Sequence, residues 1–169
     1  MVVPPAAGES QTATTDEVKA AYLFNFAKFV EWPPETPGPL VLAVMGSDSI
    51  AEMLAQITTG KTAGGRAVSA RRVTAGDDLT ANHLLFIGAA EQERMPEIMG
   101  RLEGSSVLTV SDVDRFCELG GVIALTQDDK HVRFEINLAA AERSRLKVSS
   151  KLLRLARRVH PVDVAGDRR

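Results

Sequence analysis

The chain opens with thirteen residues, MVVPPAAGESQTA, that keep no apolar period, and then changes character. Thr14 and Glu17 stand at capping-box spacing, which predicts the head of a helix. Val18, Tyr22, Phe26, Phe29 and Val30 follow at helical spacing, while Ala20, Ala21, Leu23, Phe24 and Ala27 leave little polar surface. The helix is expected to be largely buried. Trp32-Pro33-Pro34 should end it, because proline disfavours helical backbone in the residue before it. After Pro37-Gly38-Pro39 the period shortens: Leu40 to Met45 is apolar throughout and stops at Gly46, as a buried strand does. Asp48 or Ser49 can cap a helix from about Ile50 to Ile57.

The alternation continues. Ala67 to Val73 reads as a half-exposed strand interrupted by Ser69, Arg71 and Arg72, and His83 to Ile87 as an apolar third strand. A short helix from Met95 to Leu102 precedes a fourth strand, Val107 to Val110. Ser111-Asp112 opens a turn or short helix to Leu119, and Gly120-Gly121 breaks it before a fifth strand, Val122 to Leu125. Gln127 to Lys130 reads as a hairpin turn into a sixth strand, His131 to Ile136. Asn137 can cap a helix from Leu138 to about Arg145, and Ser149 or Ser150 one from Lys151 to Val159; the last ten residues read as a frayed tail. This order predicts an α/β fold: a single three-layer domain, a mainly parallel sheet with an antiparallel hairpin, and helices on both faces. The expected division is a disordered segment at 1–13, one domain over 14–160 and a flexible tail at 161–169.

Composition adds a few bounds. With 169 residues, 44% of them hydrophobic, the chain can build one sizeable core. Five of its eight aromatic residues fall between Tyr22 and Trp32. The net charge of −2 does not point to nucleic acid. It is unevenly spread: the first 141 residues hold 19 acidic side chains against 11 basic, and the last 28 hold 9 basic against 3 acidic. That basic end reads as a solvated helix face, with an acidic partner or a membrane surface as the alternative. Cys117 is the only cysteine, so no internal disulfide can form. No run of 18 apolar residues could span a membrane, and the first residues lack the basic start and apolar run of a signal peptide. An exported protein would have lost its signal before this start.

The search for chemistry finds little. His83, His131 and His160 are scattered, with no ligand partner at helical or turn spacing, so neither metal nor cofactor is expected. No G-x-S-x-G occurs, and Gly46-Ser47 is a weak echo of a nucleophile turn. Gly120-Gly121 precedes a strand rather than following one, which argues against dinucleotide binding. Asp112 and Asp114 have the types of an acid–base pair but sit where acidic residues cap a turn. Cys117, beside Phe116, reads as a small buried hydrophobe rather than a reactive thiol. No catalytic residue emerges.

The sixteen residues from Val18 to Pro33, VKAAYLFNFAKFVEWP, closely resemble the opening signature of the YfiR-like periplasmic repressor family. Further matches follow in order: the strand ending at Gly46, Val107-Leu108-Thr109-Val110-Ser111, Gly120-Gly121-Val122-Ile123, Val132 to Asn137, and Ser149 to Ala156. The resemblance covers roughly residues 15 to 160. It implies a periplasmic, non-enzymatic regulator that restrains a membrane-anchored diguanylate cyclase by binding its periplasmic part, lowering cyclic di-GMP and biofilm formation. A homodimer is plausible on the same ground. Relatives can carry disulfide-forming cysteine pairs, whereas the lone Cys117 excludes redox control by an internal disulfide.

Three patches are candidates for the partner. Strand alternation puts Arg133, Glu135 and Asn137 opposite Val132, Phe134 and Ile136, where Arg133 and Glu135 either pair with each other or a neighbouring strand, or line a groove at the sheet edge. Lys28, Glu31 and Trp32 end the first helix, with the tryptophan either a lid on the core or an interface anchor. Phe116 and Cys117 form the third patch. The rival reading is a periplasmic solute binder that presents a small ligand to a membrane sensor; it would place a pocket at the carboxyl ends of the first, third and fourth strands, at Gly46, Ser47, Gly88 and Ser111.

Overall fold

Apolar strands need cover on both faces, and the helices supply it. The computed structural model describes residues 7–34, 38–129 and 131–161. In chain order its elements are α1 (Ala7–Phe29), β1 (Val30–Glu31), β2 (Leu40–Met45), α2 (Asp48–Thr58), β3 (Thr62–Ala63), β4 (Arg66–Arg72), β5 (Leu84–Ile87), α3 (Met95–Leu102), β6 (Leu108–Ser111), β7 (Ile123–Asp128), β8 (His131–Asn137), α4 (Leu138–Arg143), β9 (Lys147–Val148), α5 (Ser150–Leu155) and β10 (Arg158–His160). Short 3-10 turns occupy Leu79–Ala81 and Ala89–Arg94. The main sheet has the order β10-β8-β7-β6-β5-β2-β4-β3. From β4 to β7 neighbours run parallel, β8 turns back against β7, and β10 runs alongside β8. The expected α/β fold with a mainly parallel sheet, an antiparallel hairpin and helices on both faces is the observed one.

Side chains of β2 show how the layers form. Leu40, Leu42 and Val44 enter one core, beneath α1 and α2, while Ala43 and Met45 enter the other, beneath α3 and the 113–120 turn. The first core receives Ala20, Leu23, Phe26, Ala27 and Val30 from the helix end and β1. This stripe is rotated from the expected one: Val18 is exposed, and Tyr22 and Phe29 are only partly buried. A segment apolar on nearly every side has no polar face to fix its rotation, and packing against the sheet selects it.

The ends of several elements differ from expectation for local reasons. Helix α1 starts at Ala7, so Thr14 lies inside it rather than heading it, and part of the 1–13 segment expected to be disordered is helical. Ser47, not Asp48 or Ser49, caps α2, its Oγ accepting from the Ile50 N–H at 3.2 Å. Asn137 and Ser149 cap α4 and α5, accepting from the N–H groups of Ala140 and Leu152. The last helix stops at Leu155 rather than Val159, and Arg158–His160 forms the edge strand β10 beside β8. The hairpin turn places Asp129 at φ +57°, a left-handed position that Asp tolerates; Lys130 lies outside the described residues.

One turn carries a titration. The Val41 N–H donates to Nδ1 of His83 at 3.1 Å, which needs that nitrogen unprotonated. Burial, and secondarily the Arg66 guanidinium, hold the His83 pKa below its usual 6.5. The folded chain therefore resists a proton that the unfolded chain accepts. His83 contributes stability that is present above pH 6.5 and lost as the pH falls through the lowered folded value. Urea midpoints followed downward from neutral pH should drop more steeply in the wild type than in His83→Gln.

Candidate functional site

The seven partner candidates separate into two groups on opposite faces of the sheet. Lys28, Glu31 and Trp32 lie where α1 runs into β1. Lys28 and Glu31 are exposed, and the Lys28 ammonium sits 4.9 Å from the centroid of the Phe24 ring. Trp32 is half-buried; its indole N–H donates to the His83 carbonyl at 2.8 Å and its ring meets the His83 ring edge-on. Those contacts hold the ring against His83 at the head of β5.

Phe116, Cys117, Arg133 and Glu135 lie on the other face. Phe116 is wholly buried, so it has no surface to offer a partner in this fold. Arg133 is exposed. Cys117 is buried, and burial first, then the Glu135 carboxylate, push its thiol up to about 12. A thiol so held stays protonated and is a poor nucleophile. Its Sγ approaches the carbonyls of Glu135 at 3.6 Å and Val122 at 3.8 Å. Asn137 fixes this region by donating to the Cys117 carbonyl at 2.9 Å while capping α4.

Glu135 does not pair with Arg133. Its Oε1 meets Nε2 of His160 at 3.2 Å, across the parallel pair β8–β10. The thiol of Cys117, the Glu135 carboxylate and the His160 imidazole thereby converge, one ligand atom of each lying within 4.8 Å of the others. His160 carried no signal for this, because its partners come from remote segments and local spacing registers only neighbours. Asp112 and Asp114 do not form an acid–base pair: Asp112 takes an ion pair from Lys19 of α1 at 2.9 Å, and Asp114 is exposed.

The four ligand candidates are also split. Helices α2 and α3 leave the sheet on opposite sides after β2 and β5, the place where α/β sheets commonly open a crevice. Here the crevice is shut. Gly88 donates its N–H to the Met45 carbonyl at 2.7 Å, and a Cβ on Gly88 would stand 2.7 Å from the Gly46 oxygen. Ser111 is buried, donating to the Ile87 carbonyl at 2.5 Å and accepting from the Val113 N–H. The open cleft lies one strand over, between β2 and β4, with a volume of about 490 Å³. Gly46 and Ser47 line it, joined by Asp48, Arg72, Thr74, Glu91 and Arg94, and Gly88 and Ser111 do not. The expected location at the first, third and fourth strands is corrected accordingly, because Gly46 and Gly88 let the backbones touch there. Asp48 and Arg72 are exposed and form a 2.9 Å ion pair across its mouth.

A second hollow of about 410 Å³ lies at the amino ends of β6 and β7, lined by Met99, Val107, Leu119, Val122 and Arg143 among others. Leu119, half exposed on its rim, lies among the turns that carry Cys117. Among the described residues no helix is long and apolar enough to cross a membrane.

Solved structures give the same architecture. The chain is similar to a conserved domain protein from Vibrio cholerae O1 biovar El Tor, with a TM-score of 0.58 and 10% identity over 85% of this chain and 60% of that one. It is also similar to an ABC domain from Streptococcus pneumoniae in complex with L-Trp, with a TM-score of 0.60 and 9% identity over 83% of this chain and 60% of that one. At such identities the likeness is one of fold, and the chain spans 60% of the length of each. A family model described as YfiR/HmsC-like matches residues 16–157, which runs from the middle of α1 to the start of β10. The chain belongs to the YfiR/HmsC-like family.

Proposed function

We propose that this chain is a non-enzymatic periplasmic regulator that binds the periplasmic part of a membrane-anchored diguanylate cyclase and holds it inactive, lowering cyclic di-GMP and biofilm formation. The family match over residues 16–157 carries this reading. The candidate chemistry supports it: the Cys117 thiol is held protonated, Asp112 is ion-paired with Lys19, and Asp114 is exposed. Repression is then a matter of differential affinity. Moving a two-state cyclase from 99% active to 99% inactive takes about 5.5 kcal/mol in favour of the inactive form. Of the seven partner candidates, Lys28, Glu31 and Arg133 are exposed and serve as the contact residues, while Trp32, Phe116 and Cys117 support the fold and Glu135 pairs with His160.

Deleting the gene is expected to raise cyclic di-GMP while the cyclase gene stays intact. In binding assays with the cyclase's periplasmic fragment, at least one of Lys28→Glu, Glu31→Lys and Arg133→Glu should weaken capture about tenfold, the effect of losing ~1.4 kcal/mol, without moving the melting temperature. Unchanged cyclic di-GMP in the deletion strain, with no binding to any such fragment, would sink the reading.

A second reading, a solute binder that presents its ligand to a membrane sensor, is supported by the charged cleft between β2 and β4. The similar ABC domain was crystallised with L-Trp, so L-tryptophan is a rational first probe. Saturable binding abolished by Arg72→Ala would favour it.

A further inference from the structure

Cys117, Glu135 and His160 reach one point from the 113–120 turn, β8 and β10. We propose that they form a binding site for a divalent zinc ion at the sheet edge, independent of the regulatory reading above. The donor set carries the choice of ion. A thiolate sulfur, an imidazole nitrogen and one carboxylate oxygen suit borderline-soft Zn²⁺, whereas Mg²⁺ and Ca²⁺ favour all-oxygen shells. Bonds of about 2.0–2.3 Å in a tetrahedral site put the donor atoms roughly 3.3–3.7 Å apart. Glu135 and His160 already stand at 3.2 Å, and the three donors all fall within 4.8 Å, so closing the site takes a shift of about 1 Å.

The parts able to make that shift are the outer ones. The Glu135 and His160 side chains keep 20% and 27% exposure, while Cys117 is fixed in the wall by its turn and by the Asn137 amide on its carbonyl. An ion between them would replace the thiol proton, which leaves to solvent, and would keep a fourth position for water. The histidine–carboxylate contact alone would explain two of the three groups. The thiol, which also approaches the Glu135 and Val122 carbonyls, brings a third donor to the same point. Bound zinc would cross-link three separate segments and pin the edge strand β10, which among the described residues pairs only with β8.

The test uses the full chain, stripped with a chelator, dialysed and titrated with Zn²⁺ alone against a chromophoric competitor. One ion per chain is expected, with Cys117→Ser and His160→Gln each weakening affinity by about 100-fold or more and His131→Gln leaving it unchanged. Cobalt substituted into the wild type should show a sulfur-to-metal charge-transfer band that disappears in Cys117→Ser. Should Cys117→Ser fail to fold, His160→Gln and the cobalt band decide the question, since the His160 side chain is partly exposed. Absence of stoichiometric zinc, full affinity in His160→Gln, or a cobalt complex without the sulfur band would overturn the proposal.

Discussion

Phe26→Ala is expected to lower the unfolding free energy by about 3–5 kcal/mol, a large share of the ~5–15 kcal/mol that a domain of this kind has. Phe26 is fully buried and sits between two other rings, stacked on Tyr22 at 5.8 Å and edge-on to Phe134 at 5.1 Å. Tyr22 also meets Phe134 edge-on at 5.4 Å and donates its hydroxyl to the Val132 carbonyl at 3.0 Å. These three rings meet one another and join α1 to β8, so truncating the fully buried one leaves a cavity lined by the other two. Urea denaturation should show a lower midpoint at an unchanged slope. A loss under about 1 kcal/mol would mean that the seam between α1 and β8 collapses freely and contributes little.

Gly121→Ala should cost about 3 kcal/mol, and its partner is identifiable. Gly121 does not lie at positive φ, so the requirement is for space rather than backbone freedom. A Cβ there would fall 2.0 Å from Cε2 of Phe116, whose ring is wholly buried and cannot swing out. In a Phe116→Leu background the same alanine should cost at least ~1 kcal/mol less, a coupling that melting curves of the four proteins in the cycle would measure. Equal penalties in both backgrounds would place the strain in the backbone instead of the ring.

The sequence was most legible where an element is bounded by residues of fixed conformational meaning. The run Leu40–Met45 ends at Gly46, whose φ of +84° forces the turn, and that strand is observed residue for residue; so is Met95–Leu102. Legibility failed where packing makes the choice. Arg158-Val159-His160 has one apolar residue and no alternation to speak of, so only its seat beside β8 makes it a strand. The Ala89–Arg94 turn likewise has no period, and α1 shows too little polarity to reveal which side faces the sheet. The candidate residues followed the same rule. Spacing could separate the faces of β8 and put Arg133 and Glu135 together on one of them, but it could not say that Glu135 reaches sideways to His160 or that Gly88 closes on Gly46.

The small pair β1–β9 sets the order in which the molecule can be completed. Val30 lies opposite Val148, Ser149 donates to the Phe29 carbonyl at 2.9 Å, and α1 also rests against β8 and α5. Helix α1 thus packs mainly on α2 and completes its cover with segments more than a hundred residues later in the chain. Until those segments are in place Phe26 lacks Phe134 and Val30 lacks Val148, and closure of so long a loop is slow. A product cut short before Leu146 would leave that end of α1 open, and it is expected to be degraded faster than the full chain.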